Sequence, residues 1–120
     1  MHSLKVYSYE GCGTCRKAVK FLHQHKITAE VLPIRETPPS LIELKQMAAH
    51  YKGSWRKLFN TSGLDYKAMQ LKDKLPTMTE NDALKLLAGN GRLVKRPFVL
   101  HGKTGWVGFD EAEWKQRLGV

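Results

Sequence analysis

Cysteine is scarce in this chain: only Cys12 and Cys15 occur among 120 residues. So few, and only three apart, exclude the disulfide framework of a small secreted domain. Long apolar runs are also missing. The first apolar stretch, Leu4 to Tyr9, is interrupted by Lys5 and soon meets Glu10. Neither a cleavable signal peptide nor a membrane span is therefore expected, and a cytoplasmic protein with no membrane partner is predicted. Acidic residues are the third shortage, eleven against twenty Lys and Arg, for a formal charge of +9. Such an excess suits nucleic acid only when it is gathered on one face. Here Lys17 and Lys20, then Lys52, Arg56 and Lys57, then Lys72 and Lys74, then Arg92, Lys95 and Arg96 alternate with apolar residues, as solvated helix faces do. A plain solvated surface and an anionic partner or substrate both remain open. No helix clusters base-reading side chains, so no specific double-stranded DNA site is expected.

A hydrophobic content of 42% supports one compact core, hence a single domain over 1–120. Leu4 to Tyr9 alternates and then meets Gly11, which reads as a strand ending in a turn. Cys15, Ala18, Val19 and Leu22 follow helical spacing, turning one stripe inward and Arg16, Lys17 and Lys20 outward. Ala29 to Ile34 reads as a second strand, completing a βαβ unit with parallel strands. After Pro38 and Pro39, Ser40 and Glu43 have capping-box spacing ahead of Leu41, Leu44, Met47, Ala48 and Tyr51. From Lys52 to Met78 the text predicts short helices and loops. Thr79 and Asp82 cap a helix from Ala83 to Ala88 that stops at Gly89. Phe98-Val99-Leu100 and Trp106-Val107-Gly108 flank a glycine-containing turn, as a hairpin would. Asp110 and Glu113 cap a last helix with Trp114 and Leu118 inward. The order is βαβ, helices, ββα. This is an α/β chain of thioredoxin-like class, its core about 1–36 and 92–120 and a helical insertion about 37–91. Trp55, Trp106 and Trp114 read as packing residues.

Random placement would put two cysteines three apart about one time in sixty. Their context adds to this, because the pair follows a strand and opens a helix, where unpaired N–H groups and the helix dipole stabilise a thiolate. Cys12 is then the attacking sulfur and Cys15, one turn in, the resolving one. Two other readings stand beside this. A structural pair would make Cys15 a small buried apolar residue. A metal site would need two further ligands, but His2, His23, His25, His50 and His101 form no i, i+4 helical pair, so no metal is expected. Arg96-Pro97 is the second feature. A cis bond there would expose backbone groups beside the cysteine loop and let Arg96 meet an anion held at Cys12, while a trans bond would simply end a loop. The candidate anion-binding set is thus Gly11, Gly13, Thr14, Arg16, Arg96 and Pro97.

At YSYEGCGTCRKAVKFL, TPPSLIELKQM, LFNTSG, LVKRPFVL and VGFDEAEWK the chain resembles the arsenate-reductase (ArsC)-like family, which includes the Spx and MgsR regulators. The resemblance implies a thioredoxin-like fold with a helical insertion, a cis proline at Pro97 and a reactive Cys12. It implies no bound cofactor, and an external thiol donor such as glutathione, glutaredoxin or thioredoxin. Glutaredoxin-dependent arsenate reductases surround their oxyanion with three arginines. Only Arg96 matches that set, the other positions falling near Asn60 and near Gly108 or Phe109, with Arg56 as a candidate substitute. Spx-like regulators use a two-cysteine switch and bind the C-terminal domain of the RNA polymerase α subunit; Gly53 lies near their polymerase-contacting glycine. The resemblance therefore implies a thiol-disulfide oxidoreductase acting with a thiol redox protein or a small oxyanion, with a redox-sensing regulator as the alternative.

Overall fold

The computed structural model describes residues 4–120; Met1 to Ser3, and with them His2, lie outside the described residues. Four strands, β1 (Leu4–Ser8), β2 (Glu30–Pro33), β3 (Phe98–His101) and β4 (Thr104–Val107), form one sheet in the order β2-β1-β3-β4. β1 runs parallel to β2 and antiparallel to β3, and β3 pairs antiparallel with β4. Helix α1 (Gly13–Gln24) joins β1 to β2, and α6 (Glu111–Leu118) follows β4. Between β2 and β3 the chain is helical, with α2 (Leu41–His50), α3 (Leu64–Ala68), α4 (Leu71–Lys74) and α5 (Glu80–Gly89). Tighter single turns at Trp55–Leu58, Leu75–Thr77 and Gly91–Leu93 link them. The result is a thioredoxin-like α/β fold with an inserted helical subdomain.

The alternation in β1 sorts the core into two faces. Leu4 and Val6 point to one side, where Ala18, Phe21 and Leu22 of α1, Val99, Trp106 and Trp114 of α6 close over them. Trp114 meets Phe21 at 5.8 Å and Trp106 at 5.9 Å, both edge to face. Each such side chain contributes roughly 2–3 kcal/mol by leaving water. Tyr7 points to the opposite side with Phe98, against Leu44, Met47 and Ala48 of α2 and Ala83, Leu84 and Leu87 of α5. Of the three tryptophans, Trp106 and Trp114 are fully buried and Trp55 is half-buried.

Some boundaries and faces differ from the sequence reading. β1 stops at Ser8, leaving Tyr9 to begin the turn. Helix α5 begins at Glu80 rather than Ala83, because Thr79 Oγ1 accepts from the Asp82 N–H at 3.2 Å and closes the first turn there. On α1 the buried set is Cys15, Ala18, Phe21 and Leu22, whereas Val19 is half-buried. The reason is the sheet order: β2 is an edge strand, so Val19 borders a groove beside it and Val31 stays 47% exposed.

Glu43 ties the insertion to the sheet. Its Oε1 accepts from the Ser40 N–H at 2.9 Å, while Ser40 Oγ accepts from the Glu43 N–H at 3.1 Å, forming the capping box. The same carboxylate accepts from the Tyr7 hydroxyl and from Lys5 Nζ, each at 2.8 Å. Burial pushes the Glu43 carboxyl up, but the bonds from Lys5, Ser40 and Tyr7 outweigh it and hold the group below its ordinary value. Chiefly through its bond to Glu43, the Lys5 ammonium is pushed up to about 12.

Glu43→Ala is therefore expected to lower the unfolding free energy at neutral pH by about 2 kcal/mol, for a lost cap and lost charge-assisted bonds. A depressed folded value means that this contribution is complete above the unfolded carboxylate value of 4.5 and fades as pH falls below it. Urea unfolding of both proteins at pH 7 and pH 3 checks this: the gap should be smaller at pH 3 than at pH 7.

Candidate active site

The site lies at the end of the sheet where β1 and β2 finish and β3 begins, because Ser8 is level with Pro33 and Tyr7 with Phe98. After β1 the chain turns tightly, the Cys12 N–H donating to the Tyr9 carbonyl at 3.0 Å. Cys12 is extended (φ −98°, ψ 122°) and caps α1, its carbonyl accepting from the Arg16 N–H at 3.0 Å. Its half-buried sulfur thus sits at a helix N-terminus. Cys15 lies within the first turn and is only 1% exposed.

The two thiols are driven in opposite directions. Burial raises the Cys12 thiol, but the Cys15 N–H, the Cys15 thiol, the Arg96 guanidinium and the Thr14 N–H all favour its thiolate, and the balance lies below the ordinary thiol value. Burial dominates at Cys15. The Tyr9 N–H and the Ser8 hydroxyl offset it only in part, while the Cys12 charge adds to it, so Cys15 is held above the ordinary value. The arrangement makes the half-buried Cys12 the more acidic thiol and the buried Cys15 the less acidic one.

The other predicted residues divide by what they touch. At Gly11 a Cβ would lie 2.6 Å from the outer atoms of the Tyr9 ring, so any side chain there would displace that ring. At Gly13 the nearest atom would be Arg16 Nη2 at 3.8 Å. Thr14 is exposed and acts through its N–H. Arg16 Nη1 donates to the Glu10 carbonyl at 3.0 Å, tying the loop to α1, so its contact is with the loop and Arg96 is the guanidinium that bears on Cys12. Arg96 is half-buried and joined to buried Pro97 by a cis peptide bond.

The positions near the two unmatched arginines carry no cation. Gly108 stands beside Pro97, its N–H donating to the Pro97 carbonyl at 2.8 Å, and its φ of +84° favours glycine. Asn60 is held by its N–H to the Leu93 carbonyl at 2.7 Å. Arg56, the candidate substitute, is exposed with its guanidinium 5.7 Å from the Trp55 ring. Sequence reasoning missed Ser8, Tyr9 and Arg35. Arg35 follows β2, and its guanidinium carbon lies 3.7 Å from the centroid of the Tyr9 ring. The available signal was position, since Tyr9 and Arg35 each follow the carboxyl end of one of two parallel strands, where α/β proteins gather their ligands.

A groove of about 770 Å³ runs between α1 and β2, bordered by Tyr9, Cys15, Val19, Val31 and Leu32. Among the described residues no three His, Cys, Asp or Glu side chains converge as metal ligands. No helix among them is long and apolar enough to cross a membrane.

The model of the ArsC family matches residues 7–117. Over 114 residues the chain is 43% identical to the uncharacterised protein YusI of Bacillus subtilis, covering 95% of this chain and 97% of that one. A crystal structure of a possible arsenate reductase from Streptococcus mutans is similar over 100% of both chains, with a TM-score of 0.89 and 30% identity. The global transcriptional regulator Spx of Enterococcus faecalis shares 28% identity over 116 residues, 96% of this chain and 86% of that protein. The match runs from β1 through α6 and takes in the cysteine loop and the Arg96-Pro97 segment, so the chain belongs to the ArsC family.

Proposed function

We propose that this protein is a thiol-disulfide oxidoreductase in which Cys12 attacks and Cys15 resolves. The observation that supports the reading best is the placing of the two thiols, a half-buried Cys12 capping a helix N-terminus and tuned downward, backed by a buried Cys15 tuned upward. The Cys12 thiolate attacks one sulfur of a disulfide, forming a mixed disulfide and expelling the other half as a thiolate. Cys15 then loses its proton and attacks the Cys12 sulfur, closing the internal bond and releasing the second half. Two electrons pass from the pair to the substrate. An external thiol, such as glutathione, glutaredoxin or thioredoxin, restores the reduced pair, which suits the reducing cytoplasm.

A second reading, a redox-sensing regulator, draws on the likeness to Spx and on one local feature. Gly53 sits in an exposed turn at φ +81°, with no atom within 4 Å of where a Cβ would stand. A flat glycine surface of that kind leaves room for a partner's backbone. Pull-down with the C-terminal domain of the RNA polymerase α subunit under oxidising and reducing conditions separates the two readings. Redox-dependent capture would favour the regulator, and equal absence of capture the enzyme.

Iodoacetamide alkylation followed against pH in each single-cysteine variant should give a midpoint for Cys12 below that of Cys15. Cys15→Ser should accumulate mixed disulfides after oxidation, seen by mass, whereas Cys12→Ser should lose both the adducts and the internal disulfide. A Cys12 midpoint no lower than that of Cys15 would sink the proposal.

Arsenate reduction with glutathione and glutaredoxin should be weak. The positions near two of the three oxyanion arginines hold Asn60 and Gly108, and each missing charge-assisted ligand costs roughly a hundredfold or more in rate. Robust turnover of arsenate would contradict this.

A further inference from the structure

Two arginines meet on one tyrosine beside Cys12. The Arg35 guanidinium carbon is 3.7 Å from the Tyr9 ring centroid and that of Arg96 is 5.2 Å from the same centroid. Arg35 Nε, Arg96 Nε and Arg96 Nη1 are buried and lack a hydrogen-bond partner. Among the described residues neither guanidinium has an ion pair, and Glu10 and Glu36 nearby are exposed and bond to neither. Buried unmatched donors on two like charges are costly, a cost that an anion in their midst removes.

The backbone holds this pair in place. The Ile34 N–H donates to the Ser8 carbonyl at 2.9 Å, carrying the β1–β2 ladder one step past Pro33. Gly91 presses on the same segment so closely that a Cβ there would stand 1.8 Å from the Ile34 carbonyl oxygen and 3.2 Å from Arg35 Cα. The Tyr9 ring in turn lies against Gly11, within the cysteine loop. Arg35 is thereby brought to the ring that touches the nucleophile's own loop.

Resting on the reading of Cys12 as the nucleophile, we propose that Arg35 and Arg96, seated on Tyr9, bind a carboxylate carried by the small disulfide that Cys12 attacks. Arg96 bears on Cys12 directly and Arg35 meets the same Tyr9 ring, so the group they receive is carried by the molecule that Cys12 attacks, and the planar fork of arginine suits a carboxylate's two oxygens. In the exchange the Cys12 thiolate forms one S–S bond as the substrate's S–S bond breaks. The departing half leaves as a thiolate, and no other oxidant or proton is needed.

The test uses Cys15→Ser protein, so that reaction stops at the mixed disulfide, at pH 7 and constant ionic strength. Two aromatic disulfides serve as probes: dithiobis(nitrobenzoate), with a carboxylate on each half, and neutral dithiodipyridine. Adding Arg35→Gln should cut the rate with the carboxylate probe by about tenfold, the worth of one hydrogen bond to a charged group, and leave the neutral probe within twofold. Arg35→Lys should fall between, and inorganic phosphate should compete weakly. An unchanged ratio of the two rates, or an equal slowing of both, would overturn the role of Arg35. Strong competition by phosphate would assign the position to inorganic oxyanions instead and overturn the carboxylate. Failure of Cys12 to react with even the neutral probe would overturn the nucleophile reading itself.

Discussion

Everything at the site follows from the two directions in which β1 is paired. Its parallel partner β2 ends where β1 ends, and its antiparallel partner β3 begins there. The register puts Ser8 level with Pro33 and Tyr7 level with Phe98, while Phe98 is level with Val107 of β4. One end of a four-stranded sheet therefore collects the cysteine loop, the residues after β2, the cis Arg96–Pro97 bond and Gly108. These segments are far apart in the chain and no local interaction could assemble them. Ladder hydrogen bonds, each geometrically strict, convert sequence separation into adjacency.

The opposed tuning of the two thiols rests on the same arrangement. Cys12 and Cys15 are one turn apart on one helix, so the dipole acts on both. What distinguishes them is depth and neighbours. Cys15 belongs to the face that packs on the sheet, with Ser8 behind it, and pays no surface contact to solvent. Cys12 stays half-buried where Arg96 reaches it. Moving Arg96 away would leave burial to push Cys12 upward against the helix N–H groups and the Cys15 thiol.

The excess of basic residues resolves in the same terms. Lys17, Lys20, Lys52, Arg56, Lys57, Lys72, Lys74, Arg92 and Lys95 are exposed, as solvated faces would be. Such charges are screened and contribute little singly. Arg35 and Arg96 differ because they are half-buried and keep unpartnered nitrogens. Among the described cations, desolvation is what makes these two chemically distinct.

The sequence by itself determined the elements that carry local signals and the setting of Cys12. Alternation in Leu4 to Ser8, the Ser40 and Glu43 capping box, the Thr79 and Asp110 caps and the hairpin around Gly102 are local patterns, governed by backbone geometry within a few residues. Cys12 at a strand-to-helix turn is legible for the same reason. Only the tertiary structure decided that Phe21 rather than Val19 completes the buried face of α1, because that depends on β2 lying at the edge of the sheet. It alone decided that Glu43 also binds Lys5 and Tyr7, and that Arg35 joins Arg96 on Tyr9. Those contacts span dozens of residues, and strand order and register set them where no periodic pattern in the chain records them.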